Sequence, residues 1–199
     1  MTTIGTSTAQ PSPAEASGLV KMHDDSAASD PAMHWHDKLD DGTRVLIRPI
    51  RKEDANLERS FIEGLSPESR SYRFLGQVKA SDDLIRRLTE IDYQRDLAFI
   101  ALHLDAGEKQ EIGVSRFSVG EDGESCECAV AVSDAWQGKG LGTLLMRHLI
   151  DVARQRGIKR MFSIDMAGNP GMRNFAASLG FDRKMDHEYP GGVIHTLDL

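Results

Sequence analysis

Three glycines stand at alternate positions in Gln137-Gly138-Lys139-Gly140-Leu141-Gly142. An apolar stretch, 126–132, precedes them, and an amphipathic one, about 141–155, follows. Glycine leaves the backbone N–H groups unshielded and accepts backbone angles that other residues resist. The first turn of a helix adds unsatisfied donors and the positive end of the helix dipole. A strand, a glycine turn and a helix in that order suit a phosphate or pyrophosphate. Whatever fold the chain takes must keep that turn open.

The rest of the chain reads as support for it. Residues 1–37, rich in Ser, Thr, Ala, Pro, Asp and Gly, are expected to be a mobile tail, and 38–199 a single domain. Within the tail, His34-Trp35-His36-Asp37 has too few neighbouring ligands for a metal site; Trp35 docking the tail onto the domain is preferred to a metal, and a segment without any role is preferred to both. Ordered structure is expected to begin near Asp40. Residues 43–50 form a strand, and Glu53-Asp54 opens a helix. Ser66-Pro67-Glu68 caps a second helix reaching Phe74, and Ser81-Asp82-Asp83 caps a third.

The period then shifts from helix to strand. Residues 97–104, 111–119 and 126–132 read as consecutive antiparallel strands. After the glycine turn come a helix, a strand (160–165), a helix (170–179) and a final hairpin with strands 181–187 and 193–199, turned at Pro190-Gly191-Gly192. The class is mixed α/β or α+β. In the helix after the turn, His148 shares a face with Leu141, Leu144, Leu145, Leu149 and Val152, and is read as a hydrogen-bonded core histidine.

Three nucleotide-type turns compete for the glycines. A Walker loop needs Ser or Thr after its lysine, but Gly140 follows Lys139. A Rossmann turn needs G-x-G-x-x-G in a βαβ unit, but the spacing here is G-x-G-x-G behind antiparallel strands. Gln137-x-x-Gly140-x-Gly142 resembles the acetyl-CoA pyrophosphate loop of the GNAT acyltransferases. The segment from Asn169 to Gly180-Phe181 resembles that family's second signature, and the resemblance spans about 43–199. Arg44 to Asp54 and Leu65 to Phe74 resemble the GNAT domain of bacterial protein lysine acetyltransferases. The larger members of that group carry an acyl-CoA-synthetase-like or cyclic-nucleotide-binding domain, and neither is expected before residue 43.

The resemblance implies a GNAT fold, with a central, mixed, mostly antiparallel sheet and helices on both faces. It implies acetyl-CoA as co-substrate. The backbone of Gly138, Lys139, Gly140, Leu141, Gly142 and Thr143, with Gln137, would hold the pyrophosphate. The free edge of Val130, Ala131 and Val132 would pair with the pantetheine arm, and Asn169 would face that arm. Lys139 could add a charge-assisted contact.

Acyl transfer to an amine needs a base, because an alkylammonium has a reference pKa of about 10.4. Glu127 is the candidate, flanked by Cys126 and Cys128 in an apolar run where desolvation is expected to raise its pKa. Its place matches the base of the lysine-acetylating relatives. Many family members carry a Tyr four residues before the Gly-Phe pair as acid for the leaving thiolate. That position is Ala176 here, with water or Ser178 as substitutes.

The net charge of −7 argues against nucleic acid as main partner. It leaves a lysine-bearing protein or a small amine as acceptor, and a non-catalytic CoA-binding module as a different class. Arg70, Tyr72 and Arg73 are expected to border the acceptor side. No metal is expected, apolar runs are too short for a membrane span, and no secretory leader is evident. Two cysteines two apart on one strand read as buried, reduced thiols, which fits a cytoplasmic setting. The reading leaves room for a homodimer.

Overall fold

The structure, a computed structural model, describes residues 33–105, 107–185 and 191–199. Its strands are β1 (Trp35–Lys38), β2 (Arg44–Pro49), β3 (Asp96–Asp105), β4 (Glu108–Val119), β5 (Ser125–Val132), β6 (Arg160–Met166), β7 (Asp182–Met185) and β8 (Gly192–Asp198). Its helices are α1 (Ala55–Gly64), α2 (Pro67–Phe74), α3 (Asp82–Thr89), α4 (Leu141–Gln155) and α5 (Pro170–Ser178). One eight-stranded sheet runs β1-β2-β3-β4-β5-β6-β8-β7, antiparallel throughout except for the parallel pair β5–β6. This is the mixed α/β architecture that the periodicity implies.

Helices cover both faces because the central strands are apolar on both. Along β3, Leu97, Phe99 and Ala101 meet the cluster built on Leu141, Leu145 and Leu149 of α4. The alternate residues Ala98, Ile100 and Leu102 meet Phe61 and Ile62 of α1 and Ile85 and Leu88 of α3. Full burial of side chains of this size contributes about 1.5–3 kcal/mol each. The helix starts follow their cap residues: Ser66 Oγ accepts from the Ser69 N–H at 3.2 Å, and Ser81 Oγ from the Leu84 N–H at 3.3 Å. Cys126 and Cys128 are buried free thiols on the α4 face. Burial pushes the Cys126 thiol up to about 12.

The beginning of the ordered chain needs correcting. Trp35–Lys38 pairs antiparallel with Arg44–Ile47, so among the described residues sheet structure is present from residue 35, inside the segment expected to be a tail. Trp35 stacks on the His148 ring with centroids 4.0 Å apart and meets Phe99 edge-on at 5.1 Å. Asp37 Oδ2 lies 2.7 Å from His148 Nε2. Four polar-rich residues are too short a run to show a period, and this strand is held by tertiary contacts instead. Residues 1–32, His187 and Pro190 lie outside the described residues.

Under the α1/α3 face sits a charged cluster. Arg48 donates to both carboxylate oxygens of Asp54 at 2.7 Å. Beside them Glu58 and Glu111 are almost wholly buried, and Glu58 Oε2 and both Glu111 oxygens have no hydrogen-bond partner. Burial first, and the neighbouring Glu58 second, push the Glu111 carboxyl well above the usual range. Glu58 Oε1 lies 3.9 Å from Arg116 of β4.

The feature that positions a site is a fork in the sheet. β5 pairs with β6 only at Ser125–Arg160, Cys126–Met161 and Glu127–Phe162. Beyond this, β5 continues with β4 as far as Val132, and β6 continues with β8 as far as Met166. From Cys128 and Ser163 onward the two strands part.

Candidate active site

A cleft of about 720 Å³ fills the fork. Glu127, Val130, Ala131, Val132, Gln137, Gly138, Gly140, Leu141, Gly142, Thr143 and Asn169, all singled out from the sequence, line it. Lys139 does not. Its Nζ lies 3.1 Å from Asp41 and 4.8 Å from the Trp136 ring centroid, so its charge is engaged by those two side chains.

The glycine turn closes the end of the cleft as its spacing requires. Gly138 and Gly140 have φ of +73° and +83°, where an L side chain is strained. Gly140 is also the N-cap of α4 and supplies no side-chain cap, so the first-turn amides face the cleft mouth without a side-chain acceptor. A Cβ there would come within 2.9–3.1 Å of the Asp40 carboxylate. At Gly142 a Cβ would meet the Phe175 ring at 3.3 Å, so a side chain there would press the helix start against α5. Such a turn can hold an anionic diphosphate.

The fork leaves the backbone of 128–132 without a neighbour on its β6 side, about 16 Å of free edge at the usual strand rise. Gln137 Nε2 donates to the Val132 carbonyl at 3.1 Å, which fixes the turn against the end of that edge. Its amide is thus committed to the turn's own geometry. Asn169 caps α5, accepting from the Met172 N–H at 3.0 Å, which leaves its amide nitrogen and one lone pair of its oxygen for the cleft.

Glu127 differs from expectation. It is exposed, not enclosed among its apolar neighbours. Cys126 and Cys128 point to the α4 face, and alternation turns Glu127 to the other. There a second groove of about 290 Å³ runs beneath α2 and α3. The two cavities share Arg73, Glu127, Cys128 and Ala129. Arg87, Asp96, Arg116 and Ser118 also border the second. Burial first, and Arg116 second, lower Arg73 to about 10, with Glu58 and Glu127 opposing.

Helix α2 is strapped over the fork. Asp134, just after β5, accepts from the Ser66 N–H and Oγ at 2.9 Å and from Ser69 Oγ at 2.7 Å. Tyr72 OH donates to Glu68 Oε1 at 3.0 Å and lies 3.1 Å from the Gly168 carbonyl oxygen across the cleft. Arg70 is spent on the carbonyls of Glu63 and Leu65, so of the three residues expected to border the acceptor side only Arg73 joins both cavities. The Asp134 clasp and the approach of Asp40 were not read from the sequence. Ser66 and Ser69 show only a helix start there, and nothing in sequence ties them to residue 134.

An open backbone edge, an amide-lined turn at one end and a carboxylate at the other suit an acyl-transferring enzyme. Residues 66–181 match the model of the Acetyltransferase (GNAT) family, and the chain belongs to that family. It is 49% identical over 167 residues to Acetyltransferase PA5475 of Pseudomonas aeruginosa, covering 83% of this chain and 90% of that protein. It superposes on the crystal structure of the GNAT domain of S. lividans PAT with a TM-score of 0.77 and 29% identity, over 85% of this chain and 99% of that one. It is also 28% identical over 140 residues to Acetyltransferase Pat of Mycolicibacterium smegmatis, across 70% of this chain but 41% of that longer protein. The chain is therefore an acyltransferase. Among the described residues no helix is long and apolar enough to cross a membrane, and no group of three or more His, Cys, Asp or Glu is placed to hold a metal.

Proposed function

We propose that the chain transfers an acetyl group from acetyl-CoA to lysine side chains of a protein, with Glu127 as the general base. The supporting observation is the position of Glu127, at the one junction between the fork cleft and the second groove. Acetyl-CoA supplies an acyl group activated as a thioester. The first-turn amides of Leu141, Gly142 and Thr143 hold its diphosphate, and the free edge of Val130 to Val132 aligns its amide-bearing arm. Glu127, exposed and within reach of an amine entering the second groove, takes that amine's proton directly or through one water. A backbone N–H near Val132 serves as oxyanion donor.

Lysine in a protein is favoured over a free polyamine by the charges around the groove. Arg73, Arg87 and Arg116 border it against Asp96 and Glu127. A polyamine would bring several cations against those arginines, whereas one lysine flanked by acidic residues would complement them. The test is incubation of cell lysate with the enzyme and isotopically labelled acetyl-CoA, followed by mass-spectrometric mapping of acetylated lysines. Labelled lysines flanked by acidic residues are expected. Label found only on small amines would overturn the protein acceptor and leave the acetyltransferase class intact.

A further inference from the structure

Ala176 removes the tyrosine expected to protonate the leaving thiolate, and Ser178 does not replace it. Ser178 is exposed, donates to the Phe175 carbonyl at 2.6 Å and does not reach the cleft. The cleft holds another hydroxyl instead. Ser163 is the first residue of β6 beyond the Glu127–Phe162 pair, where the strands part. An arm anchored at the glycine turn and running back along 132–128 brings its reactive end to that point.

Three polar side chains meet there. Ser163 Oγ lies 2.7 Å from Asp165 Oδ2, and His195 Nε2 lies 3.8 Å from the same oxygen. His195 faces Ser163 across the β6–β8 pairing. Its Nδ1 is buried without a partner. Asp165 is 7% exposed and His195 1%, yet Ser163 and Asp165 both line the cleft. Met161, Ser163 and Asp165 alternate onto the α4 face, opposite the face that carries Glu127.

We infer that Ser163 protonates the departing coenzyme A thiolate, with Asp165, buried beside His195, replacing the proton on Ser163. As the carbon–sulfur bond breaks, sulfur takes the Ser163 hydroxyl proton and Ser163 takes the Asp165 carboxyl proton. The proton released is matched by the one that Glu127 removes from the amine. The base thus works on one face of the fork and the acid on the other. Burial first raises the Asp165 carboxyl, with Ser163 and His195 opposing, which favours a form able to give a proton. Burial also lowers His195, with Asp165 opposing and Arg183 adding to the lowering, so His195 is neutral at neutral pH. The nearby Cys128 thiol is pushed up by burial and stays protonated.

This inference rests on the acetyl-CoA reading, and its test separates the two. Coenzyme A is bound to the protein and its thiol titrated by the ultraviolet absorbance of the thiolate, with affinity measured by calorimetry. A donor to the thiolate lowers its pKa, so Ser163→Ala should raise the bound thiol's pKa by about one unit, and Ser163→Thr should restore it. Asp165→Asn, which removes the carboxyl proton but leaves the Ser163 donor, should keep the bound thiol's pKa near the wild-type value while slowing acetyl transfer to an amine. Equal values in wild type and Ser163→Ala overturn the inference. If Ser163→Ala no longer binds, Asp165→Asn decides, and undiminished acetyl transfer at every pH overturns the inference. Failure of the wild-type protein to bind coenzyme A would instead overturn the acetyl-CoA reading.

Discussion

The two cavities that meet at Glu127 are built from different materials. The fork cleft is walled at its anion end by backbone: glycines at positive φ, uncapped first-turn amides, and an edge without a neighbour on one side. The second groove is walled by side chains from α2, α3, β3 and β4, three of them arginines. A backbone site fixes the spacing of glycines and so recognises one shape of ligand. A side-chain site is free to change without disturbing the fold. On the proposed function, the donor site is the rigid half of the enzyme and the acceptor site the adjustable half.

Removing the carboxylate that both share should have the largest effect. Glu127→Gln is expected to lower turnover by about 10²-fold or more, with acetyl-CoA affinity nearly unchanged. Steady-state kinetics across pH decide this, and near-normal turnover at every pH would end the assignment. Next comes the backbone half. Gly140→Asp forces an L residue to a φ of +83° and sets a second carboxylate against Asp40. Acetyl-CoA affinity, read by calorimetry, should fall about tenfold or more, a loss of about 1.4 kcal/mol or greater. Unchanged affinity would remove the turn from the site.

The side-chain half should yield more softly. Arg87 is exposed on α3, and Arg87→Glu should raise KM for an acid-flanked lysine peptide by about three- to tenfold, an effect that fades in salt and leaves kcat in place. The smallest effect concerns the cluster beneath that half. Glu111 has a folded pKa above its unfolded value, so the unfolded state ionises first as pH rises and stability falls from the ordinary carboxylate range upward. Glu111→Gln should remove that slope. It should raise the melting temperature near pH 8 by about 2–4 °C for each 1 kcal/mol recovered, with less gain at pH 4. A gain that is the same at both pH values would refute the buried-proton account.

The same division governs what could be read from the sequence. Strands and helices from Arg44 onward follow their periods and caps to within a few residues, since these signals are local. The glycine turn was legible because a backbone site must be written as glycine spacing. Glu127 could be placed, but not its exposure, since which face a strand residue takes relative to Cys126 and Cys128 depends on the helices laid over it. β1 went unseen because Trp35 and Asp37 make their case only against His148, more than a hundred residues away. The Asp134 clasp, Arg116 above Glu58, and Ser163 with Asp165 and His195 are likewise meetings of distant segments with no local signature.

The fork also bears on how the enzyme resists heat. From Cys128 and Ser163 the sheet is unfinished, and its open peptide groups have no neighbouring strand across the gap. A bound arm bearing amides would act there as a substitute strand, joining β5 to the half of the fold carried by β6. Because only the folded chain offers this slot, ligand at a hundredfold excess over its Kd should add about 2.7 kcal/mol to stability. The enzyme should therefore melt as a looser body when its donor runs short, making its resistance to unfolding a gauge of the acyl-donor supply.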